Sequence, residues 1–199
     1  MTNSAREAEL KAIRIPIYRG GIGWRLFLIH QESQENLASL NSVEELKPMK
    51  AVQGHDWPDT TILRHNGFHV EVTSSYPSMF RMLKRGRVDY FPRSVKEVWA
   101  ELATHKDEGV IVDSGWLLQY PTAAYFFVNK NNRSLAKDLE QGLEQMIKTG
   151  QYQRLFGEYF DPILKRAALD QRRVVKLTNP FLPQMTPLNR PELWESLPH

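Results

Sequence analysis

Residues that could do chemistry are most concentrated in one segment, residues 54 to 60 (GHDWPDT). An imidazole beside two carboxylates suggests a metal site or acid–base catalysis, and a hydrolase that uses His55 with Asp56 or Asp59 is one hypothesis. Adjacent residues point in different directions, however, and no second cluster of histidine and carboxylate residues follows at ligand spacing. The chain also has no Gly-x-Ser-x-Gly elbow, no P-loop and no Gly-x-Gly-x-x-Gly fingerprint. We therefore expect no catalytic residue, no metal site and no cofactor.

Binding, in contrast to catalysis, has several candidate residues. Tyr18, Trp24 and Trp57 could stack on a planar ligand, and for each of them packing in a hinge or in the core is the alternative. A helix predicted to begin at this segment has free amide groups that can hold an anion. Thr60 or Asp59 could instead only cap that helix.

The elements that position these residues alternate between helices and strands. Hydrophobic spacing predicts the following series: helix Pro58–Asn66, strand Phe68–Val72, helix Ser75–Arg85, strand Val88–Phe91, helix Ser94–Ala103 and strand Val110–Val112. Alternation of this kind indicates crossover units in an α/β fold with mostly parallel sheets. Because such sheets bind ligands at the carboxyl ends of their strands, we expect a cleft near residues 54, 74 and 92.

Further elements flank this series on both sides. Toward the N-terminus, β-branched and aromatic runs predict strands at Ala12–Tyr18 and Trp24–His30. Toward the C-terminus, a strand at Ala123–Asn129 leads into the longest helix, Ser134–Thr149, and a shorter amphipathic helix follows. Five prolines from Pro180 onward predict an extended tail on the surface.

Composition favours a globular protein. Hydrophobic residues make up 41% of the 199 residues, and the formal charge of +3 comes from 26 basic and 23 acidic residues scattered along the chain. This near balance argues against nucleic acid as a partner. The absence of cysteine excludes disulfides and thiolate metal sites. No apolar run approaches the roughly 20 residues that span a bilayer, and the first 15 residues lack the segments of a signal peptide.

Three stretches follow one another in a specific order. They are MTNSAREAELKAIRIPIYRGGIGWRLFLI, MLKRGRVDYFP, and YPTAAYFFVNK followed by NNRSLAKDLEQGLEQMIKTGQYQRLFGEYF. Over residues 1 to about 160 the series resembles the amino-acid-binding proteins of ABC importers (family 3), with their Thr-x-x-x-Arg segment, Gly-Arg-x-Asp segment, hinge strand and closing helices. The resemblance implies the type 2 periplasmic-binding fold, in which two lobes close on a small polar solute without catalysis.

The resemblance also divides the chain into lobes. Residues 1–30 and 125–199 correspond to lobe 1 with the C-terminal tail, and residues 31–124 correspond to lobe 2. In the family a further part of lobe 1 precedes the first motif, so we expect lobe 1 to be incomplete here and its uncovered face to favour a homodimer. The implied partners are a small polar solute, either an amino acid or a related carboxylate, and the membrane subunit of an ABC importer. The implied location is the periplasm, and a sensor or regulatory domain of the same fold is the alternative.

The resemblance assigns ligand contacts to particular residues. Arg6 matches the family arginine that forks onto a ligand carboxylate. Arg93 and Ser94 stand where the family carries an aspartate for the ligand's ammonium group, a departure that favours an acidic solute if Arg93 faces the pocket. In the alternative, Glu97 neutralises Arg93 through an i,i+4 pair. The predicted ligand-binding residues are Arg6, Trp57, Asp59, Thr60, Arg93 and Ser94.

Overall fold

The computed structural model of the protein describes residues 1 to 196. The α-helices are α1 Ser4–Glu9, α2 Gln34–Ser39, α3 Val43–Leu46, α4 Pro58–His65, α5 Tyr76–Lys84, α6 Val98–His105, α7 Arg133–Lys148 and α8 Gln151–Ala167. The strands are β1 Leu10–Ile13, β2 Trp24–His30, β3 Ala51–Gly54, β4 Val70–Thr73, β5 Phe91–Ser94, β6 Val110–Val112, β7 Trp116–Gln119, β8 Phe126–Asn129 and β9 Arg173–Lys176. Within the described residues, no helix combines the length and the apolar character that crossing a membrane requires.

Strand β2 is the centre of the larger sheet. It pairs antiparallel with β5, β6 and β7, and Arg25 lies opposite Ser94 of β5 and Leu118 of β7. Strand β9 extends this sheet beyond β7 in the parallel direction. The predicted α/β class is confirmed. The expectation of mostly parallel sheets is wrong, because β2 at the centre of the larger sheet is antiparallel to all its partners and β1 is antiparallel to β8, whereas among the described strands only β3–β4 and β7–β9 are parallel pairs.

The sequence of β2, WRLFLIH, explains its central position. Trp24 and Leu26 belong to a buried cluster that includes residues of α5 and α6, whereas Phe27 and Ile29 belong to a second cluster that includes residues of α2 and α4. Successive side chains of a strand point to opposite faces of the sheet. A strand that is apolar on both faces is therefore suited to the interior of a sheet that is covered on both sides.

Strands β3 and β4 continue the sheet on the other side of β5. They are parallel to each other, and the amide of Val52 donates to the carbonyl of Tyr90 at 3.0 Å, so β3 lies beside the segment that enters β5. Helix α4 connects β3 with β4, and α5 connects β4 with β5. These are the crossover units that the sequence predicted. They bring the carboxyl ends of β3 and β5 to the same edge of the sheet.

A separate two-stranded sheet is formed by β1 and β8, which are antiparallel. Ile13 and Val128 share a buried cluster with residues of α7, which packs on this sheet. Helix α8 continues past Pro162 and is longer than the predicted helix. Its Phe156 and Phe160 belong to the buried cluster of the larger sheet, so α8 connects the two sheets.

Several predicted boundaries need correction. Strand β5 begins at Phe91, not at Val88, because the amides of Asp89 and Tyr90 both donate to the carbonyl of Lys50 and hold this segment beside β3. Helix α6 consequently begins at Val98, after the turn that ends β5. The predicted strand from Ala12 ends at Ile13.

Two strands of the larger sheet were not predicted at all. Strand β7 has the sequence WLLQ and follows a turn in which the carboxylate of Asp113 accepts from the amides of Gly115 and Trp116. Strand β9 lies in the region that the sequence assigned to the tail. Hydrogen bonding therefore puts β2 and β9 in the larger sheet, whereas the sequence assigned both to lobe 1. The lobe boundaries themselves stay a prediction.

Candidate functional site

A cleft opens beside the carboxyl ends of β3 and β5, near the N-terminus of α4. Trp57 and Pro58 line both of its two chambers. One chamber is named the inner chamber because the buried Arg25 and Asp59 line it; it has a volume of about 370 Å³, and its lining also includes Tyr18, Arg93, Ser94 and Lys96. The outer chamber has a volume of about 490 Å³, and its lining includes Asn3, Arg6, His55, Asp56, Asn179 and Phe181. The cleft lies near residues 54 and 92, as the sequence predicted, whereas no residue near 74 lines either chamber.

The floor of the inner chamber is a buried network of three side chains. Nη2 of Arg25 lies 2.8 Å from Oδ1 of Asp59, and Nε of Arg25 donates to the hydroxyl of Tyr120 at 2.5 Å. The Tyr120 hydroxyl in turn donates to the same Oδ1 of Asp59. Within residues 1 to 196, neither Oδ2 of Asp59 nor Nη1 of Arg25 makes a hydrogen bond, and Nη1 of Arg25 lies 3.9 Å from Oε2 of Glu97.

The electrostatics of this floor fix the ionised state of Arg25. Burial by itself lowers the pKa of an arginine, but Tyr120 and Asp59 outweigh the burial, and the pKa of Arg25 lies above its ordinary value. Burial raises the pKa of Tyr120 well above its ordinary value, which keeps its hydroxyl protonated as a donor. Arg25 and Asp59, which both line the inner chamber, therefore form an ion pair with a protonated guanidinium.

Arg93 lines the same chamber, but its guanidinium is already paired. Its Nε and Nη2 donate to the carboxylate of Glu101 at 2.7 to 2.9 Å, and Nη2 lies 3.1 Å from Glu97. The guanidinium carbon also lies 4.9 Å from the ring centre of Trp57 and 5.0 Å from that of Phe91, within cation–π range. Burial by itself would lower the pKa of Arg93. The interaction with Glu101 outweighs burial, so the pKa of Arg93 is raised. Of the two alternatives for Arg93, the geometry matches a neutralised residue, with Glu101 as the main partner and Glu97 as the i,i+4 partner.

Lys96 supplies the inner chamber with a cation whose Nζ has no carboxylate oxygen within 4.0 Å among the described residues, although the charge of Glu97 acts on it from farther away. Its Nζ donates to the Tyr18 hydroxyl at 3.0 Å and lies 4.3 Å from the centre of the Tyr18 ring. The hydrogen bond to Tyr18 raises the pKa of Lys96. Tyr18 thus holds a lysine at the chamber, and Ser94 is buried nearby and accepts from the Lys96 amide through Oγ at 3.4 Å.

Trp57 separates the two chambers because of the local geometry at the end of β3. A Cβ at Gly54 would come within 2.5 Å of the Trp57 indole nitrogen, so only glycine lets the indole lie this close to the strand. Oγ1 of the buried Thr60 donates to the carbonyl of Gly54 at 2.6 Å. Thr60 thereby ties α4 to β3, and it lines neither chamber.

The outer chamber collects the remaining predicted residues. Arg6 is exposed on α1, and its Nη1 donates to the carbonyl of Met1 at 2.7 Å. His55 and Asp56 are also exposed, with 3.7 Å between Nδ1 and Oδ1, whereas Asp59 is turned away from them toward Arg25. The structure therefore does not join His55 to Asp59. Among residues 1 to 196 there is no group of three histidine and carboxylate side chains placed to hold a metal ion.

Sequence reasoning missed the residues that organise the cleft. Asp59, Arg93 and Ser94 come together in the inner chamber as predicted, but Arg25 and Lys96 were not predicted there. One signal for Arg25 was available, because a charged residue inside the apolar run WRLFLIH must be paired if that strand is buried. The partner Tyr120 is 95 residues away along the chain and carries no comparable signal.

Comparison with known proteins identifies the fold. No protein-family model and no curated protein sequence matches the chain. Among solved structures it is similar to an ancestral arginine-binding protein bound to glutamine, at 19% identity and a TM-score of 0.54, over 80% of this chain and 67% of that one. It is also similar to an arginine transport-system periplasmic binding protein from Legionella pneumophila, at 18% identity and a TM-score of 0.54, over 80% and 69% of the two chains.

A third similar structure also contains a bound amino acid. It is the GluR0 ligand-binding core from Nostoc punctiforme in complex with L-glutamate, at 16% identity and a TM-score of 0.51, over 81% of this chain and 70% of that one. Because these identities are low, the likeness establishes the fold and leaves the function to the site. The chain has the two-lobed α/β fold of type 2 periplasmic-binding proteins, which confirms the fold that the resemblance implied.

Proposed function

We propose that this protein captures a small polar solute, an amino acid or a related carboxylate, in its cleft without converting it chemically. The observation that carries the proposal is the convergence of ionised side chains from separate elements on one chamber: Arg25 from β2, Asp59 from α4, and Lys96 from the segment after β5. Fixed charges of both signs around one cavity suit a ligand that itself carries opposite or multiple charges. The glutamine and glutamate bound to two of the similar structures are solutes of this kind.

Each charged group of such a solute has a partner in the inner chamber. A ligand carboxylate is matched by Nη1 of Arg25 and by Nζ of Lys96, which are both cationic donors. A ligand ammonium is matched by Oδ2 of Asp59 and by the half-exposed carboxylate of Glu97. Arg93 is occupied by Glu101, so in this proposal it positions Trp57 and does not select an acidic solute.

The cellular setting of this capture is inferred by analogy with proteins of the same fold. The periplasmic binding protein of an arginine transport system from Legionella pneumophila supports extracytoplasmic capture for transport, and in this proposal the partner is the membrane subunit of an ABC importer. The alternative is a sensor domain of the same fold that uses the same cleft. Association of two copies through the β1–β8 side of the molecule belongs to the same proposal. Both settings require the same solute contacts, so the binding test applies to either.

A thermal-shift screen tests the capture of a solute. The wild-type protein is heated with L-amino acids and with dicarboxylates such as succinate and glutarate, because a ligand that binds only the native state raises the melting temperature by mass action. We expect at least one of these solutes to stabilise the protein. We expect Lys96→Met to weaken its binding about tenfold, since a charge-assisted hydrogen bond contributes roughly 1.5 kcal/mol.

Two further variants interpret the screen. Lys84→Met removes an exposed lysine of α5 that lines neither chamber, and this control should leave binding unchanged. Arg6→Ala measures whether the outer chamber takes part, and a loss of binding there supports the predicted role of Arg6. The proposal fails if no solute stabilises the wild type, or if Lys84→Met and Lys96→Met weaken binding equally.

A further inference from the structure

The C-terminal segment from residue 177 to residue 195, named the strap here, crosses from one sheet to the other. It leaves the larger sheet after β9, and the side chain of Asn66 at the end of α4 exchanges hydrogen bonds with the backbone of Thr178. Farther along, Arg190 donates to both carboxylate oxygens of Glu144 on α7 at 2.6 and 3.0 Å. The strap is therefore fastened at α4 and again at α7.

The far end of the strap is also fixed. Leu193 is buried in a cluster with Ile15 and Tyr152. Glu195 accepts from Nη1 of Arg19 at 2.5 Å. Between the two fastened ends, Asn179 donates through Nδ2 to the carbonyl of Pro121 at 2.9 Å. This path brings the first turn of the strap to the mouth of the cleft.

Phe181 is the apolar residue of the strap at the outer chamber. It lines the outer chamber together with Trp57 and Ile62, and 39% of its surface is accessible. The side chain of the neighbouring Asn179, which also lines the outer chamber, is held in place, because its Oδ1 accepts from the Phe181 amide and its Nδ2 donates to the carbonyl of Pro121. The strap thus places an apolar ring at the outer chamber.

We propose that Phe181 is a specificity-determining residue that contacts the apolar part of the bound solute. The inference rests on the proposed function, because that proposal assigns the charged groups of the solute to the inner chamber. Trp57 lines both chambers, so a solute anchored at Arg25 and Asp59 extends past the indole toward Phe181. The preferred solute class is then an amino acid or dicarboxylate that carries a bulky apolar or aromatic side group.

The volumes and the lining agree with this class. The outer chamber, at about 490 Å³, is larger than the inner one at about 370 Å³, and it is not needed to hold the charged groups of a small solute. Two aromatic walls, Trp57 and Phe181, suit a planar or apolar group, because aromatic contacts add to the gain from burial. Arg6 is cationic and lines the outer chamber, so it favours a solute that carries a further negative charge besides the groups held in the inner chamber.

Isothermal titration calorimetry with matched solutes tests the inference. The pairs are L-alanine with L-phenylalanine and succinate with phenylsuccinate, which differ within each pair only by a phenyl group. We expect the wild type to bind the phenyl-bearing member of at least one pair about fivefold more tightly or better, as an aromatic contact allows. Phe181→Ala should abolish this preference, and Phe181→Tyr, which keeps the ring, should retain it.

Met185→Ala is the matched control, because Met185 lies in the same strap, is 67% exposed and lines neither chamber. It should bind all four solutes as the wild type does. The inference is overturned if the wild type binds solutes without a preference for the phenyl group, or if the preference survives Phe181→Ala; solute binding itself would then still support the proposed function. If no solute in the wider screen binds, both proposals fail.

Discussion

The floor of the cleft and the strap each contain an arginine–carboxylate pair with a similar distance between the charged atoms. Arg25 and Asp59 approach to 2.8 Å in the floor, and Arg190 and Glu144 approach to 2.6 Å in the strap. The two pairs differ in burial: the floor side chains are 7% and 12% exposed, whereas those of the strap are 34% and 33% exposed. The two pairs therefore differ in their exposure to solvent and not in the distance between their charged atoms.

Burial changes what each pair contributes. In the floor, the two charges lose their hydration and depend on each other, so removal of one leaves the other buried and unpaired. In the strap, water solvates either charge after the pair is broken, and the pair contributes little. The floor is thus expected to be intolerant of substitution, whereas the strap is held mainly by its apolar contacts and its backbone hydrogen bonds.

The largest effect is expected for Asp59→Ala. The substitution leaves the buried Arg25 with the Tyr120 hydroxyl and a 3.9 Å contact with the half-exposed Glu97, so the free energy of unfolding should fall by about 3–5 kcal/mol. Urea denaturation followed by circular dichroism measures this loss. Asp56→Ala, three residues earlier and exposed, is the control and should change stability by less than about 0.5 kcal/mol.

A double variant tests whether the unpaired charge of Arg25 causes the loss of stability in Asp59→Ala. If the loss in Asp59→Ala comes from an unpaired charge, Arg25→Met combined with Asp59→Ala should be more stable than Asp59→Ala alone, because the uncompensated guanidinium is gone. Additive losses from the two single substitutions would contradict this account. They would indicate that each residue contributes through packing only.

An intermediate effect is expected for Glu101→Gln. Glu101 is 12% exposed and accepts from Arg93 and from the Tyr76 hydroxyl, so neutralising it should cost roughly 1–3 kcal/mol. Glu97 also contacts Arg93, but it is 49% exposed, and Glu97→Gln should cost less than about 0.5 kcal/mol. Urea denaturation of both variants measures the difference. The reverse order would mean that Arg93 depends on its i,i+4 partner.

The sequence predicted the crossover units around α4 and α5 because their apolar residues recur at helical spacing and their ends carry Pro58, Gly67 and Pro77. It also located the cleft, since the carboxyl ends of β3 and β5 follow from that alternation. It could not predict the floor, because the contact between Arg25 and Tyr120 depends on the register of β2 with β7, and β7 is too short to be recognised from its pattern. The charge inside WRLFLIH indicates that Arg25 needs a partner, but tertiary packing decides which residue that partner is.

The strap shows the same limit. Its prolines predicted an extended course on the surface, which is consistent with the irregular path after β9. The approach of Phe181 to Trp57 across the outer chamber could not be predicted, because it results from the hydrogen bonds of Thr178 to Asn66 and of Asn179 to Pro121. Each of these joins residues more than 50 positions apart.

The smallest effect is expected in the strap and depends on pH. The hydrogen bonds from Arg190 lower the pKa of Glu144 below its ordinary value. A carboxylate whose pKa is depressed in the folded state stabilises that state fully above its unfolded pKa of about 4.3, and this contribution is lost as the pH falls through the folded pKa. Glu144→Gln should therefore lower the free energy of unfolding by at most about 1 kcal/mol at pH 7. The difference between this variant and the wild type should disappear as the pH falls below about 4.

Urea denaturation of both proteins between pH 3 and 7 measures this convergence. Glu140→Gln on the same helix is the control, since Glu140 is exposed and makes no ion pair within residues 1 to 196; its difference from the wild type should stay near zero across the range. Because the Arg190–Glu144 pair is solvent-accessible, 1 M salt at pH 7 should also shrink the effect of Glu144→Gln, while the effect of Asp59→Ala in the buried floor should persist. An equal response of both pairs to salt would contradict the contrast between the two regions.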